Sequence, residues 1–575
     1  MAQEFDTIVI GGGATGAGVA LDLALRGLRV ALVERADLCN GTSGRYHGLL
    51  HSGGRYAVTD PESARECITE NQILRHIAPA SIEDTGGLFL TTPDDDPAYA
   101  DKWLSACQAC GIQAEEISVA RALQSEPALN PRTQRAFRVP DGACDSFDLV
   151  DALAVAIRSL GGSVLTYHEV TGLEVAGGRV RAATLRNVRS GESHRLGAAT
   201  IVNAAGAWAG EIARMAGCPV IVRPSKGTLV AMAYRFVNTV LNRCHRPGDG
   251  DILVPIGTVA VIGTTSVPAE DPNETGVQAW EVQKLLEEGE KLVPGFSQAR
   301  ALRAWAGVRP LYEEGGAALG REAKRTFAVL DHASRDGVAG LVTVVGGKLT
   351  TYRLMAERAA DIVCQDLGVD KPCRTKEFVL PDPVPPIAHR KTANVSTADG
   401  GSDSTQPTAP RTYHVLPHRL AAVEESQAAD SLICECELVT RAQIEQSARA
   451  HGGGQAHWIL DDLRRDLRLG MGPCQAGFCN YRAAGVLNAM GAADATQATQ
   501  ALADFAQRRW KGQRPLLWGQ NLRQALLDEQ IYRGVLGLAE LDVPLRSTPL
   551  RPVTNDGALG DNPPGDEPQT TLSEV

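Results

Sequence analysis

Three groups of residues in this sequence have types and spacings that can do chemistry. Gly11, Gly13 and Gly16 form a G-x-G-x-x-G turn, and Glu34 follows about 20 residues on. In such a turn the first glycine permits a tight bend, the second lets the backbone approach a pyrophosphate, and the third lets helix and strand pack closely. The acid is then placed to accept a hydrogen bond from a ribose hydroxyl. The second group is the run Gly346-Gly347-Lys348-Leu349-Thr350-Thr351-Tyr352-Arg353. A helix starting here aims its positive end and free N–H groups at the pyrimidine edge of a flavin, where negative charge gathers on reduction. The third is Cys434-x-Cys436 with Cys474-x-x-x-x-Cys479. Four thiolates in two close pairs can bind a 2Fe–2S cluster. Zinc also takes four cysteines, although a C-x-C pair is tight for a zinc knuckle, and metal-free thiols are the remaining reading.

The elements that must position these groups follow from the apolar pattern. Residues 7–10 read as a strand buried on both faces, 17–25 as a helix closed by Gly27, and 29–33 as the next strand. A charged helix is expected from Pro61 to about Ile77. Residues 162–203 alternate between apolar runs and the turn signals Gly177-Gly178 and Ser190-Gly191, which suggests a β-meander. The run ATIVNAAGAWAGEIA (199–213), containing Gly206, ends a strand in small residues. A chain returning to the same nucleotide would do this, and it favours FAD over NAD. Residues 223–267 are strand-rich, and LVTVVGGKLTTYRLMAERAADIVC reads strand, tight turn, helix. Cys107-x-x-Cys110 lies on an expected helix with no second pair nearby and reads as packing.

The chain has 575 residues, 43% hydrophobic and 22% charged, too many for one core, so several units are expected. They are residues 1–380, a linker at 381–430 rich in Pro, Ser, Thr and Gly, a compact unit at 431–541, and a disordered tail at 542–575. The net charge of -11 argues against nucleic acid, so any anionic substrate needs a locally assembled positive site. Thirteen cysteines without a secretory signal read as reduced thiols with a metal subset. No run approaches a membrane span, and a cytoplasmic location is expected.

With these motifs in order, the chain resembles the FAD-dependent glycerol-3-phosphate dehydrogenases. IGGGATGAG, LLHSGGRY (49–56), VNAAGAWA, IGTTS (262–266), GVRPL (307–311) and GGKLTTYR carry the resemblance across about residues 5–365. The run GLLHSGGRYAVTDPESARECITENQIL and the late cysteines bring it nearest to the large catalytic subunits of the anaerobic type. The resemblance implies an α/β (α+β) fold: an FAD-binding Rossmann-like domain, an inserted antiparallel-sheet substrate domain of the D-amino-acid/glycine oxidase type, and a small helical cysteine domain. The cysteine domain resembles the bacterioferritin-associated-ferredoxin type, which implies a 2Fe–2S cluster on Cys434, Cys436, Cys474 and Cys479.

The implied reaction is oxidation of sn-glycerol 3-phosphate to dihydroxyacetone phosphate. The electrons would pass via the iron–sulfur cluster and partner subunits, a second flavoprotein and an iron–sulfur membrane anchor, to a quinone, placing the chain on the cytoplasmic face of the membrane. Carried over, Arg55, Tyr56, Arg309 and Lys348 would line the substrate pocket, with Thr264 and Thr265 as hydroxyl donors. Guanidinium and ammonium groups suit a phosphate dianion. Besides Gly11, Gly13, Gly16 and Glu34, the FAD contacts would include Ala14, Thr15, Arg35, Thr42, Ser43, Gly206, Gly347, Lys348, Leu349 and Thr350. His51 is the candidate base, its unperturbed pKa being near neutrality. Some aerobic relatives carry a His in the strand after Lys226-Gly227, where this chain reads Thr228-Leu229. Two other readings stand beside this one: an oxidase or dehydrogenase of the same fold acting on an amino acid or 2-hydroxy acid, and an electron-transfer or redox-sensing subunit without a substrate site. The stretch 508–523, rich in Arg and Trp, reads as a solvated helix face.

Overall fold

The computed structural model describes residues 4–312, 326–382, 413, 416–426, 430–450 and 460–538. The expected linker falls largely, and the expected tail wholly, outside them.

The strand Glu4–Ile10 pairs in parallel with Val30–Val33 on one side and with Ser193–Asn203 on the other. Ser163–Leu165 and Leu341–Gly346 extend this sheet outward, also in parallel. Ile8, Val9, Val30 and Leu32 are fully buried, as unbroken apolar runs become when both faces are covered. The helices Ala14–Leu25, Ser146–Ser159 and Tyr352–Leu367 cover one face through Val19, Leu23, Leu153, Ala356 and Ala359. A Cβ at Gly18 would lie 2.9 Å from the Tyr352 ring, so this glycine sets the close approach of the first and last of these helices. The antiparallel pair His168–Ala176 and Arg179–Asn187 turns at Gly177 and Gly178, both at positive φ, and runs on into Ser193–Asn203. The meander is therefore shorter than its sequence pattern. Ser163–Leu165 is instead a parallel edge strand, because the helix Ser146–Ser159 first carries the chain across the sheet.

A second sheet is mixed and has nine strands. Its longest pairing joins Arg223–Met232 to Ala301–Leu311, from Arg223 opposite Leu311 to Met232 opposite Ala301. The helix Ala279–Leu292 packs Val282, Leu285 and Leu292 into the same core as Val230 and Ile262. A third cluster gathers the helices Arg441–Ala450, Leu460–Leu467, Cys479–Ala489 and Ala495–Gln513 around the small hairpin Leu432–Cys434 and Val439–Thr440. Ala495–Gln513 rests against the strand Ala301–Leu311. The solvated face expected near its end is only half realised. Trp510 and Trp518 are exposed, but Arg509 is buried and Arg508 bonds Asp461. Among the described residues no helix is long and apolar enough to cross a membrane.

Candidate functional site

A cleft of about 1030 Å³ opens where the ends of the parallel strands meet the second sheet. Gly11, Gly13, Ala14, Thr15, Glu34, Arg35, Thr42, Ser43, Gly206, Gly347, Leu349 and Thr350 line it, and so do His51, Arg55, Tyr56, Thr264, Arg309 and Lys348. Residues far apart in sequence thus meet in one place because every segment that bears them ends a strand or starts a helix there.

The glycine turn fits the pyrophosphate of a flavin dinucleotide. A Cβ at Gly11 would lie 2.5 Å from Ala204 O, and one at Gly16 would lie 1.9 Å from Gly11 O, so neither position admits a side chain. Gly16 lies behind the turn and shapes it without lining the cleft. The helix Ala14–Leu25 has no acidic residue in its first turn and no side-chain cap from Gly13, which leaves its N-terminal amides to attract an anion. Ser43 Oγ accepts from Ala14 N at 3.1 Å, and Thr42 Oγ1 donates to Val308 O at 2.6 Å. Glu34 accepts from Gly12 N at 2.7 Å and from Ala36 N at 2.9 Å, so the carboxylate braces the turn while lining the cleft. Burial pushes its pKa up, against the pull of these two amides. Arg35 stacks on Trp208 at 4.2 Å. At the opposite end the helix Tyr352–Leu367 is preceded by a 3-10 turn, Leu349–Thr351, so this turn meets the cleft first and the α-helix adds Met355 behind it.

The cationic end is built across both sheets. Arg309 donates to Thr264 Oγ1 and to Thr265 O, the latter at 3.1 Å. Its guanidinium lies on Gly227 of the neighbouring strand, where a Cβ would come within 2.5 Å. Lys348 Nζ stands 5.0 Å from the centre of the Tyr56 ring. Arg55 is paired with buried Asp251 at 2.7 Å and donates to Gly248 O at 3.1 Å, so its own charge is already met. Thr265 corrects the sequence expectation. It is fully buried, accepts from Thr228 N at 2.9 Å and donates to Glu281 at 2.8 Å, so its hydroxyl is unavailable to a ligand.

His51 is held by its backbone N–H, which donates to Thr350 Oγ1 at 3.1 Å, and its ring lies 5.3 Å from that of Tyr56. Burial, then His47, Arg55 and Lys348, drive its pKa well below the ordinary value, so the imidazole is neutral and able to accept a proton. His47, 6.2 Å away, escaped the sequence reading. Its Nδ1 accepts from Leu49 N at 3.1 Å, and burial lowers its pKa to about 3. Asp251 escaped too, since nothing in sequence ties it to Arg55.

The four late cysteines converge. Cys434 lies near Cys479, Cys436 near Cys474, and Cys474 near Cys479. Backbone N–H groups of Glu437 and Gly470 point at Cys434, and those of Ala476 and Phe478 at Cys474. Leu438, Gln475 and Ala476 take positive φ to present this nest, an unusual cost for residues with side chains. A Cβ at Gly472 would lie 2.3 Å from Cys436 Cβ. Such a donor-rich, anion-stabilising shell suits iron–sulfur ligands. Cys107 and Cys110 are buried in an apolar cluster, as their packing reading expects.

Comparison with known proteins agrees with this architecture. The family model for FAD dependent oxidoreductases matches residues 6–353. One subunit of the anaerobic glycerol-3-phosphate dehydrogenase of Escherichia coli K12 is 44% identical over 540 residues, 93% of this chain and 97% of that one. Its counterpart in the Haloferax volcanii enzyme is 42% identical over 551 residues, 94% of this chain and 92% of that one. Among solved structures, the glycerol-3-phosphate dehydrogenase of Bacillus halodurans complexed with FAD has a TM-score of 0.60 at 20% identity, covering 90% of this chain and 97% of that one. Glycine oxidase from Geobacillus kaustophilus reaches 0.53 at 24% identity, covering 66% of this chain and 98% of that one. The chain belongs to the FAD-dependent oxidoreductase family and, within it, to the group of anaerobic glycerol-3-phosphate dehydrogenase subunits that these bacterial and haloarchaeal relatives represent.

Proposed function

We propose that the chain oxidises sn-glycerol 3-phosphate to dihydroxyacetone phosphate. The observation that carries this reading is the meeting of Arg309, Lys348 and a neutral His51 in the cleft that also holds the glycine turn. When bound, the flavin supplies a two-electron hydride acceptor for the substrate's C2.

The chain's own residues do the rest. Arg309 and Lys348 supply cationic groups suited to a phosphate dianion; Arg55, paired with Asp251, adds hydrogen-bond direction. Thr264 holds the Arg309 fork in place. His51 takes the C2 hydroxyl proton as the hydride leaves. Burial and His47 keep its proton affinity low in the free protein, and a bound dianion offsets the smaller contributions of Arg55 and Lys348.

We further infer that Cys434, Cys436, Cys474 and Cys479 would hold a 2Fe–2S cluster, which when bound would supply one-electron chemistry beside the two-electron flavin. The electrons then leave through two partner subunits, a second flavoprotein followed by an iron–sulfur anchor, to a quinone at the cytoplasmic face of the membrane. The relatives are themselves named as single subunits of a larger enzyme, which supports the existence of partners.

The test is anaerobic flavin bleaching by the purified chain, with iron and sulfide measured on the same sample. Glycerol 3-phosphate is expected to bleach the flavin. Bleaching by a 2-hydroxy acid or amino acid and not by glycerol 3-phosphate would sink the reading.

A further inference from the structure

If the four cysteines hold a 2Fe–2S centre, as proposed above, the charge of that centre has to be met. On four thiolates it is a dianion, and one added electron makes it a trianion. Buried charge of this size calls for fixed opposite charge nearby. The amides of Glu437, Gly470, Ala476 and Phe478 offer partial charges only.

Full charges come from two arginines. Arg509, on the helix Ala495–Gln513, is buried and donates through Nη2 to Gly470 O at 2.7 Å and to Gln475 Oε1. It thus grips the loop that wraps the sulfurs, and it lies within electrostatic reach of Cys479. Arg300 comes from the other unit. It immediately precedes the strand Ala301–Leu311 and lies within electrostatic reach of Asp528, then of Cys474 and Cys436. The Nε and Nη2 of Arg300 and the Nε of Arg509 are buried with no hydrogen-bond partner among the described residues. Guanidinium donors left orphaned within electrostatic reach of these sulfurs are costly unless an anion meets them. Asp528 sets a carboxylate against the same loop, where a Cβ on Gly477 would lie 2.4 Å from its Oδ1.

We propose that Arg300, together with Arg509, is the counter-charge of the sulfur centre and holds its reduction potential up. The flavin-bearing unit thereby governs how readily its neighbour accepts an electron. Each reduction step adds one electron from the reduced flavin to the centre and moves no proton through either arginine. The same strand carries Arg309 nine residues further on. At roughly 3.3 Å per residue the two arginines are about 30 Å apart along it. Substrate anion and sulfur centre are therefore held by opposite ends of one rigid element.

The experiment is an anaerobic potentiometric titration of the full chain, followed by the electron-paramagnetic signal of the reduced centre, with iron and sulfide assayed in every variant. Arg300→Gln keeps hydrogen-bond donors and loses the charge. Its reduced-to-oxidised ratio at a fixed potential is expected to fall about tenfold, equivalent to ~59 mV for a one-electron couple. Arg300→Lys is expected to restore most of the loss, and Asp528→Asn to shift the ratio the other way. An iron-replete Arg300→Gln with an unchanged ratio overturns the proposal, as does a lysine variant shifted as far as the glutamine one. Should Arg300→Gln fail to retain iron, Asp528→Asn decides, and no rise in its ratio overturns the proposal. A wild-type chain free of iron and sulfide overturns the underlying reading of the cysteines instead.

Discussion

At the scale of single residues, the site works by what its side chains are denied as much as by what they touch. Gly227 is an example. It gives the Arg309 guanidinium a flat place against the strand, and a methyl group there would meet three guanidinium atoms within 2.8 Å. Because the far end of a long side chain can swing away, Gly227→Ala should fold and keep its flavin. Losing one charge-assisted contact of about 1.5–3 kcal/mol should nevertheless raise KM for glycerol 3-phosphate about tenfold or more. Steady-state kinetics with flavin quantification checks this, and an unchanged KM would remove Arg309 from the phosphate site. His51 makes a second prediction. Its folded-state pKa lies well below the 6.5 of an unperturbed imidazole, so the free protein keeps a neutral base across the physiological range. The acid limb of kcat/KM is then expected below about pH 6, and His51→Gln should cut kcat by about 10²–10⁴ with little change in KM. A limb near pH 7 would point to a different base. The same shift has a stability consequence. Below pH 6.5 the unfolded chain takes up protons that folded His51 and His47 refuse, so stability is full above that pH and is lost as the pH falls towards their folded values, about 3 for His47.

At the scale of elements, two helices that follow site-bearing runs are pinned to each other. Arg353, on Tyr352–Leu367, donates to both oxygens of Glu70, on Pro61–Ile77, at 2.8 and 2.6 Å, and both side chains are 2% exposed. Removing one partner of a buried pair costs about 3–5 kcal/mol, because the survivor stays buried and unmet. Arg353 retains Glu357 and Thr375, so Glu70→Ala should sit at the lower end of that range. A lowered melting temperature together with weaker flavin retention is the expected outcome; a loss of stability with flavin affinity intact would separate the pin from the site. How legible such elements were in the sequence depends on the distance over which their causes act. The glycine turn and the helix Pro61–Ile77 were readable because local sterics, capping by Asp60 and Pro61, and apolar spacing determine them. Thr265 was misread because Glu281, on a helix that packs against its strand, captures its hydroxyl. Ser163–Leu165 was misread because only the preceding helix decides which edge it joins. Asp251 and His47 carry no local signature at all, and their roles exist only once the two sheets face each other.

At the scale of the whole molecule, the cysteine unit is locked onto the flavin unit by ions that water scarcely reaches. Arg465 bonds Asp37 at 2.5 Å and Asp462 at 2.8 Å, while Asp462 also receives Tyr167 and Arg189 from the flavin unit. A second lock joins Arg468 to Asp145 across the interface and to Glu437 within the cysteine unit. Asp37 lies three residues beyond Glu34, so the lock closes beside the dinucleotide end of the cleft. Pairs buried to this extent are weakly screened, and docking in the wild-type chain should be insensitive to salt. Asp37→Ala leaves Arg465 with Asp462 and a long contact to the Tyr167 hydroxyl, and removes a partner held at 4% exposure, again a loss of about 3–5 kcal/mol, but one that falls on docking and not on either core. The two half-reactions should therefore part. Glycerol 3-phosphate should bleach the flavin of this variant at close to the wild-type rate, since Arg309, Lys348 and His51 are untouched, while the proposed sulfur centre should be reduced more slowly. Rapid-mixing absorbance at flavin and iron–sulfur wavelengths distinguishes the two steps. Slowing of both steps alike would mean that the lock serves the flavin cleft itself, and slowing of neither would mean that the second lock at Arg468 is enough to hold the units together.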